Sequence, residues 1–353
     1  MKKIGICGHF AFGKRCLDGQ TVKTQIVTNE LEKFFGKDQI DVLDTDGAKT
    51  NIPGQIIQLL RLLKKCENII ILPAHNGVRV FAPILAIANR FQKKKLHYIV
   101  IGGWLPEFVQ KRRWLTIALK KFDYIYVETK TMKEKLEHQG FKNIVLMPNC
   151  KYLNILKSEE LVFCDAPPYK LCTFSRVMKE KGIETAVAVV KNVNEKAGKT
   201  IYTLDIYGQI DINQTEWFED LEKSFPEYIH YCGCVPFDKS VDVLRNYFAL
   251  LFPTHFYTEG IPGTIIDAYA AGIPVICSKW ESCSDVVDIG KTGLAYDFDD
   301  FNALITLLTE ISSNIDMINK LRTNCLNKAK QYTPESVMPV IIDRLNEKSK
   351  ERH

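Results

Sequence analysis

The feature that most restricts the fold of this chain is its alternation of short, wholly apolar segments with longer amphipathic ones. "NIIILPA" (68–74) precedes "VFAPILAIANRFQKK" (80–94), and "LHYIVIGGW" and "DYIYVET" repeat the theme with helical stretches between them. A strand that is apolar at every position is buried on both faces, as happens when helices cover a parallel sheet above and below. The spacing therefore predicts βαβ units. At 353 residues the chain exceeds what one hydrophobic core usually organises. The pattern breaks at "LKSEELVFCDAPPYK", where acidic residues and Pro167-Pro168 read as a linker, and resumes at "KLCTFSRV", "YTLDIYG", "IHYCGCV", "ALLFPTH" and "IPVICSK". The expected fold class is α/β, with two Rossmann-like domains, 1–160 and 161–335, facing across a cleft. A final amphipathic helix, 336–353, is a candidate to cross back to the first domain. Open parallel sheets bind ligands outside the carboxyl ends of their strands, so the cleft is the expected site.

The net charge of +5 is mild and implies no nucleic acid partner. The excess is local, however. Arg90 with Lys93, Lys94 and Lys95, then Lys111-Arg112-Arg113-Trp114, then Lys120-Lys121 all fall in the first domain. Two readings stand side by side: solvated helix faces, or a patch for anionic lipid, where each basic side chain gains roughly 1 kcal/mol. Eleven cysteines are an odd count, no leader pattern precedes them, and Cys232-Gly-Cys234 has the wrong spacing for a zinc or redox pair. Reduced, mostly buried thiols in the cytoplasm are the simplest account, with association at the cytoplasmic face of a membrane if the patch meets lipid. No apolar run approaches the ~20 residues needed to span a bilayer.

The chemistry concentrates in "FPTHFYTEGIPGTIIDAYAAGIPVICSKW". Glu259 sits in a glycine-bearing loop, and Gly263 opens a helix whose first amides, those of Thr264 and Ile265, form an anion site suited to a diphosphate. Asp267 follows one turn on. Carboxylates repel phosphate but accept hydrogen bonds from hydroxyls, so Glu259 and Asp267 suit a sugar. Each alone reads as an ordinary loop or helix acid; together with "FSRVMKEKGIE" they do not. There Arg176 ends a strand and Lys181 precedes a helix, a cationic clamp for diphosphate at a strand's carboxyl end.

These residues carry a resemblance to the GT-B glycosyltransferases of the large retaining group that includes bacterial capsule, exopolysaccharide and lipopolysaccharide enzymes. The group's E-x7-E signature appears as Glu259-x7-Asp267 followed by "AYAAGIPVI", and its clamp matches Arg176 and Lys181. "GGWLPE", "VETKTMKEKLEHQGFKNIVLMPN" and Asn149 are also similar. The resemblance runs over nearly the whole chain, more strongly in the second domain. It implies catalytic roles for Glu259, Arg176 and Lys181: Glu259 meets donor-sugar hydroxyls, and the two cations hold the diphosphate with the Thr264 and Ile265 amides beside Gly263. Asp267 meets the ribose, although aspartate in place of the second glutamate shortens the reach. The resemblance also implies transfer with retention to a hydroxyl of a glycan or lipid-linked acceptor, by front-face displacement, with no cofactor and no metal.

The opening loop "GICGHFAFGKRCLDGQT" has most of a phosphate-cradling NTPase motif, Gly8-x4-Gly13-Lys14, but Arg15 stands where a Mg²⁺-binding hydroxyl is required. In the resembled group a glycine-rich loop after the first strand faces the donor phosphates, and Gly19 and Gln20, just ahead of a helix expected to start at Val22, are placed there. The NTPase likeness is then accidental. On the acceptor side the candidates are His75, after a buried strand; Gly103 of the Gly102-Gly103 pair standing where many relatives have a histidine; and Glu128, after another strand. Asp44-Thr-Asp46 reads as a loop rather than a metal site, and Asp297 to Asp300 as a turn and helix cap. A nucleotide-sugar 2-epimerase of the same fold and a non-catalytic partner subunit are the alternatives.

Overall fold

The computed structural model describes residues 2–11, 19–46 and 51–347. It divides into two compact units, the first comprising Met1–Tyr152 and Tyr332–His353, the second Leu153–Gln331.

The first unit is built on six parallel strands, β1 (Lys2–Gly8), β2 (Ile40–Asp44), β3 (Cys66–Ile71), β4 (Lys95–Ile99), β5 (Tyr124–Val127) and β6 (Ile144–Leu146), in the order β2-β1-β3-β4-β5-β6. Between them run α1 (Gly19–Phe35), α2 (Ile52–Lys65), α3 (His75–Gln92), α4 (Leu105–Gln110), α5 (Arg113–Leu119) and α6 (Lys130–His138). Strand side chains alternate between two cores. Ile69 and Ile71 join α2, α3 and α5 on one side, while Ile70, with Ile4 and Ile6 of β1, joins α1 on the other. That double burial is why these strands read as unbroken apolar runs. Local signals set the helix starts: the Asn51 side chain accepts from the Gly54 amide at α2, and Thr129 accepts from Met132 N at 3.2 Å at α6.

The second unit repeats the plan with β7 (Tyr169–Phe174), β8 (Tyr202–Tyr207), β9 (Ile229–Gly233), β10 (Ala249–Phe252), β11 (Val275–Ser278) and β12 (Gly293–Tyr296), again parallel, in the order β12-β11-β10-β7-β8-β9. Its helices begin with α7 (Ile183–Ala197), α8 (Thr215–Glu222), α9 (Ser240–Leu244) and α10 (Gly263–Ala270). Three sequence expectations shift. The boundary falls at 152/153 rather than 160/161, because Leu156 N bonds to Ala270 O at 3.0 Å and Glu160 pairs with Arg245, tying the segment to the second unit. The chain returns to the first unit at Tyr332, ahead of the expected 336. Its last stretch is two helices, Pro334–Val337 and Pro339–Asn346, because Pro339 interrupts helical bonding, and Val337, Met338, Ile341 and Leu345 pack on the α1 side of the first sheet.

In each sheet the strand order reverses once, between β1 and β3 and between β7 and β10. Loops leave such a switch point in opposite directions and open a crevice, which is where ligands of this architecture sit.

Candidate active site

At the β7/β10 switch point of the second unit, Arg176 lies two residues past the end of β7 rather than on it, and is exposed, with Nη1 at 3.6 Å from Asp211 Oδ2. Lys181 closes a one-turn 3₁₀ helix, Lys179–Lys181, and Gly182 stands at the cap before α7 in the left-handed conformation, φ +73°. A Cβ at Gly182 would stand 1.8 Å from the Pro253 carbonyl oxygen, so only glycine lets this turn lie against the end of β10. The His255 amide donates to Glu180 O at 2.9 Å and fastens the same contact. The outcome is that Lys181 Nζ donates to Glu259 Oε1, across 78 positions of sequence, while lying 4.9 Å from the ring centroid of Phe256. Thr254 Oγ1 donates to the same carboxylate oxygen at 3.1 Å and accepts from Phe256 N at 3.1 Å, shaping the loop. Lys181 and Glu259 side chains keep 19% and 13% of their surface exposed, so a ligand can reach both. The Lys181 charge also neutralises Glu259, removing the repulsion a lone carboxylate would exert on a phosphate nearby.

Three residues beyond Glu259, Pro262 caps α10, which starts at Gly263. "GTIIDAYA" is apolar nearly all round, and the helix is buried accordingly. The Gly263 and Thr264 amides have no acceptor inside the helix. The expectation that Ile265 offers its amide as well does not hold: Ile265 N donates to Pro262 O at 3.1 Å, a tightened first turn. Thr264 instead contributes a hydroxyl, buried and without a hydrogen-bond partner, that no spacing argument selects. Asp267 is buried, only 4% exposed, which places it within the helix packing rather than on an open surface.

At the β1/β3 switch point of the first unit a cavity of about 340 Å³ is lined by His9, Gln20, Gln55, His75 and Asn76, with Ile52, Val80 and Phe81 as apolar wall. Gln20 Nε2 donates to Leu72 O at 3.3 Å, and Gln55 Oε1 is buried without a partner. Helix α1 begins at Gly19, not Val22, so Gly19 and Gln20 form its first turn; Gly13, Lys14 and Arg15 lie outside the described residues. His75 opens α3 and stacks on Trp104, ring centroids 3.9 Å apart; burial first, then the Arg112 charge, hold its imidazole below the usual range and so neutral.

Two acceptor-side candidates move inward. Gly103 is buried. Glu128 is buried and forms an ion pair at 2.5 Å with Lys23 of α1, whose ammonium also donates to Val100 O at 3.3 Å. The pair joins α1 to the ends of β4 and β5 and is closed to solvent, so Glu128 is a structural partner, not an acceptor contact. Lys23 gave no signal in sequence, since a lysine in a helix reads as surface.

Asp44 is the last residue of β2 rather than a loop residue, and its carboxylate accepts from Phe10 N at 3.0 Å and Asp46 N at 2.9 Å, which holds the turn that follows. Asp300 caps the helix Phe301–Ser313 through Ala303 N at 2.9 Å. Among the described residues no cluster of metal-ligating side chains occurs, and the ten cysteines are free thiols. Burial pushes Cys7 and Cys150 up to about 12, which keeps them protonated and unreactive.

A family model described as glycosyl transferases group 1 matches residues 168–314. The amylovoran biosynthesis glycosyltransferase AmsK of Erwinia amylovora is 20% identical over 186 residues, 50% of this chain, and the match spans 45% of that relative's length. Among solved structures, Anabaena HepE in complex with UDP and glucose superposes with a TM-score of 0.74 at 12% identity, covering 98% of this chain and 99% of that one. Sucrose-phosphate synthase from Thermosynechococcus elongatus gives 0.72 at 14% identity over 98% and 99%. The pneumococcal O-GlcNAc transferase GtfA, with UDP and GlcNAc, gives 0.66 at 16% over 82% and 59%. At such identities these likenesses are of fold.

Proposed function

We propose, from the match of residues 168–314 to the group 1 glycosyl transferase model and the GT-B likeness of the fold, that the chain moves a sugar from a nucleotide-sugar donor to a hydroxyl of a glycan or lipid-linked saccharide, with retention at the anomeric carbon. The observation that carries the reading is the Lys181–Glu259 pair at the β7/β10 switch point, with a helix start four residues beyond Glu259. Lys181 and Arg176 take the diphosphate, together with the Gly263 and Thr264 amides and the Thr264 hydroxyl. Glu259 accepts hydrogen bonds from sugar hydroxyls through the oxygen that Lys181 does not occupy. As the acceptor oxygen bonds to the anomeric carbon, the bond to the donor phosphate breaks, and the acceptor proton passes to the departing phosphate oxygen. Negative charge grows on the leaving group, and two cations plus helix-start amides steady it, which is where such groups contribute most. They supply the neutralisation that a metal would otherwise give, and the reaction as proposed needs none.

The neighbours bound to UDP favour a uridine donor, and the amylovoran relative favours exopolysaccharide assembly, which would set the work at the cytoplasmic face of a membrane. The test is a thermal-shift titration with UDP, GDP and ADP. One of them is expected to raise the melting point of the wild type, and Lys181→Ala to abolish that rise. No shift from any of the three would overturn the proposal.

A further inference from the structure

The helices α2, α3 and α5 cover the same side of the first sheet, and α3 packs against both others. Their inward residues, among them Leu62, Leu85 and Leu115, join one core. Their outward residues have an unusual composition. Ile57 and Leu60 on α2, Ile87 and Phe91 on α3, and Trp114 and Ile117 on α5 are all exposed, Phe91 by 85% and Ile87 by 65%. Single exposed hydrophobics are ordinary, but pairs on each of three neighbouring helices form a field that water does not favour.

Charge accompanies that field. None of the three helices contains an Asp or Glu. Residues 52–121 hold thirteen Lys and Arg against two Glu, a local excess larger than the +5 of the whole chain. Arg61, Arg90, Lys93, Arg113 and Lys121 are exposed beside the apolar side chains. The other side of the sheet differs, since α1 carries Glu30 and Glu32.

We propose that α2, α3 and α5 form a docking face for an anionic bilayer, lying in its interface. Apolar side chains ringed by cations suit that occupant: aliphatic and aromatic groups enter the acyl boundary while ammonium and guanidinium groups meet lipid phosphates. A nucleic acid would use the cations but leave six large apolar groups in water. Contact is peripheral, because among the described residues no helix is long and apolar enough to cross a membrane.

The experiment is co-sedimentation of the full chain with vesicles of phosphatidylcholine alone or in equal parts with phosphatidylglycerol. Binding is expected to the anionic vesicles only and to weaken as salt rises. Ile87→Glu/Phe91→Glu tests the apolar arm and Arg113→Glu/Lys121→Glu the cationic arm. Each should lower partitioning by about tenfold or more while leaving the melting point and the nucleotide-induced thermal shift unchanged. Those last two readouts separate this proposal from the assignment of the second unit. No binding of wild type to anionic vesicles at low salt would overturn it, as would variants that bind like wild type. Light scattering that shows a dimer dissolved by Phe91→Glu, or equally tight binding of a single-stranded oligonucleotide, would also overturn it.

Discussion

Each unit of this protein joins a lysine to a glutamate at the carboxyl ends of its strands, yet the two pairs do different things. Lys23 and Glu128 in the first unit retain 1% and 2% of their side-chain surface, whereas Lys181 and Glu259 in the second retain 19% and 13%. A sealed pair is permanent: once both charges have left water, separating them would strand a charge in the interior, so the pair fixes register between α1 and the sheet. A pair still open to solvent can exchange partners, and its charges remain available to a ligand. On the proposed assignment, exposure rather than residue type separates scaffold from site.

The largest effect that would test this contrast is on transfer itself. Glu259→Ala is expected to reduce turnover of a nucleotide-sugar by about a thousandfold or more, with the melting point nearly unchanged, because a transition-state contact is lost and no buried charge is stranded. Normal turnover by this variant would remove the site from the second unit. Glu128→Gln should behave in the opposite way. Leaving the Lys23 ammonium buried and uncompensated is expected to cost about 3–5 kcal/mol, read from denaturant midpoints. Replacing both partners, as in Lys23→Met/Glu128→Leu, should recover much of that loss. If Glu128→Gln kept its stability but lost transfer, the two pairs would not differ as described.

A third test concerns burial without charge. His97 on β4 sits between Tyr126, 3.0 Å from Nδ1, and Asn68 Oδ1, 3.3 Å from Nε2. Asn68 Nδ2 donates to Lys3 O, so its oxygen faces the ring; Nε2 donates and Nδ1 accepts, which satisfies the neutral imidazole. Burial drives its pKa down to about 3, with Lys95 and Arg344 adding to the effect. The folded value lies below the unfolded one, so the unfolded chain binds the extra proton. Stability is therefore full above about pH 6.5 and is lost as pH falls towards 3, by on the order of 3 kcal/mol at pH 4. Urea melts of wild type and His97→Gln across that window should converge at low pH relative to neutral pH. The smallest effect belongs to Arg176. Its exposed contact with Asp211 contributes within about 1 kcal/mol, so Arg176→Ala should leave stability unchanged and weaken nucleoside diphosphate binding by about tenfold in calorimetry.

Much of this was legible in the chain. Strands buried on both sides announced a parallel sheet, and Glu259, Lys181 and the start of α10 at Gly263 stood out by spacing. The misreadings share one cause. Glu128 follows a strand, as a cleft residue does, but strand-end position does not say whether a side chain turns outward or back beneath a helix. Ile265 sits where a helix amide is often available, yet the tight first turn after Pro262 uses it. Thr254 and the Thr264 hydroxyl carry no sequence signal, because a threonine has no distinctive neighbourhood until its partners are known.

The sequence alone determined the layering, because apolar periodicity fixes which faces must be covered, and it determined the starts of α2, α6 and α10, though not of α1, because caps and glycines act within a few residues. Tertiary structure decided everything that depends on partners far apart in the chain. It joined Lys181 to Glu259 over 78 positions, sealed Lys23 against Glu128, and gathered three basic, apolar helix surfaces onto one side of a sheet. Burial and partner choice are properties of the folded surface, and no stretch of residues read singly contains them.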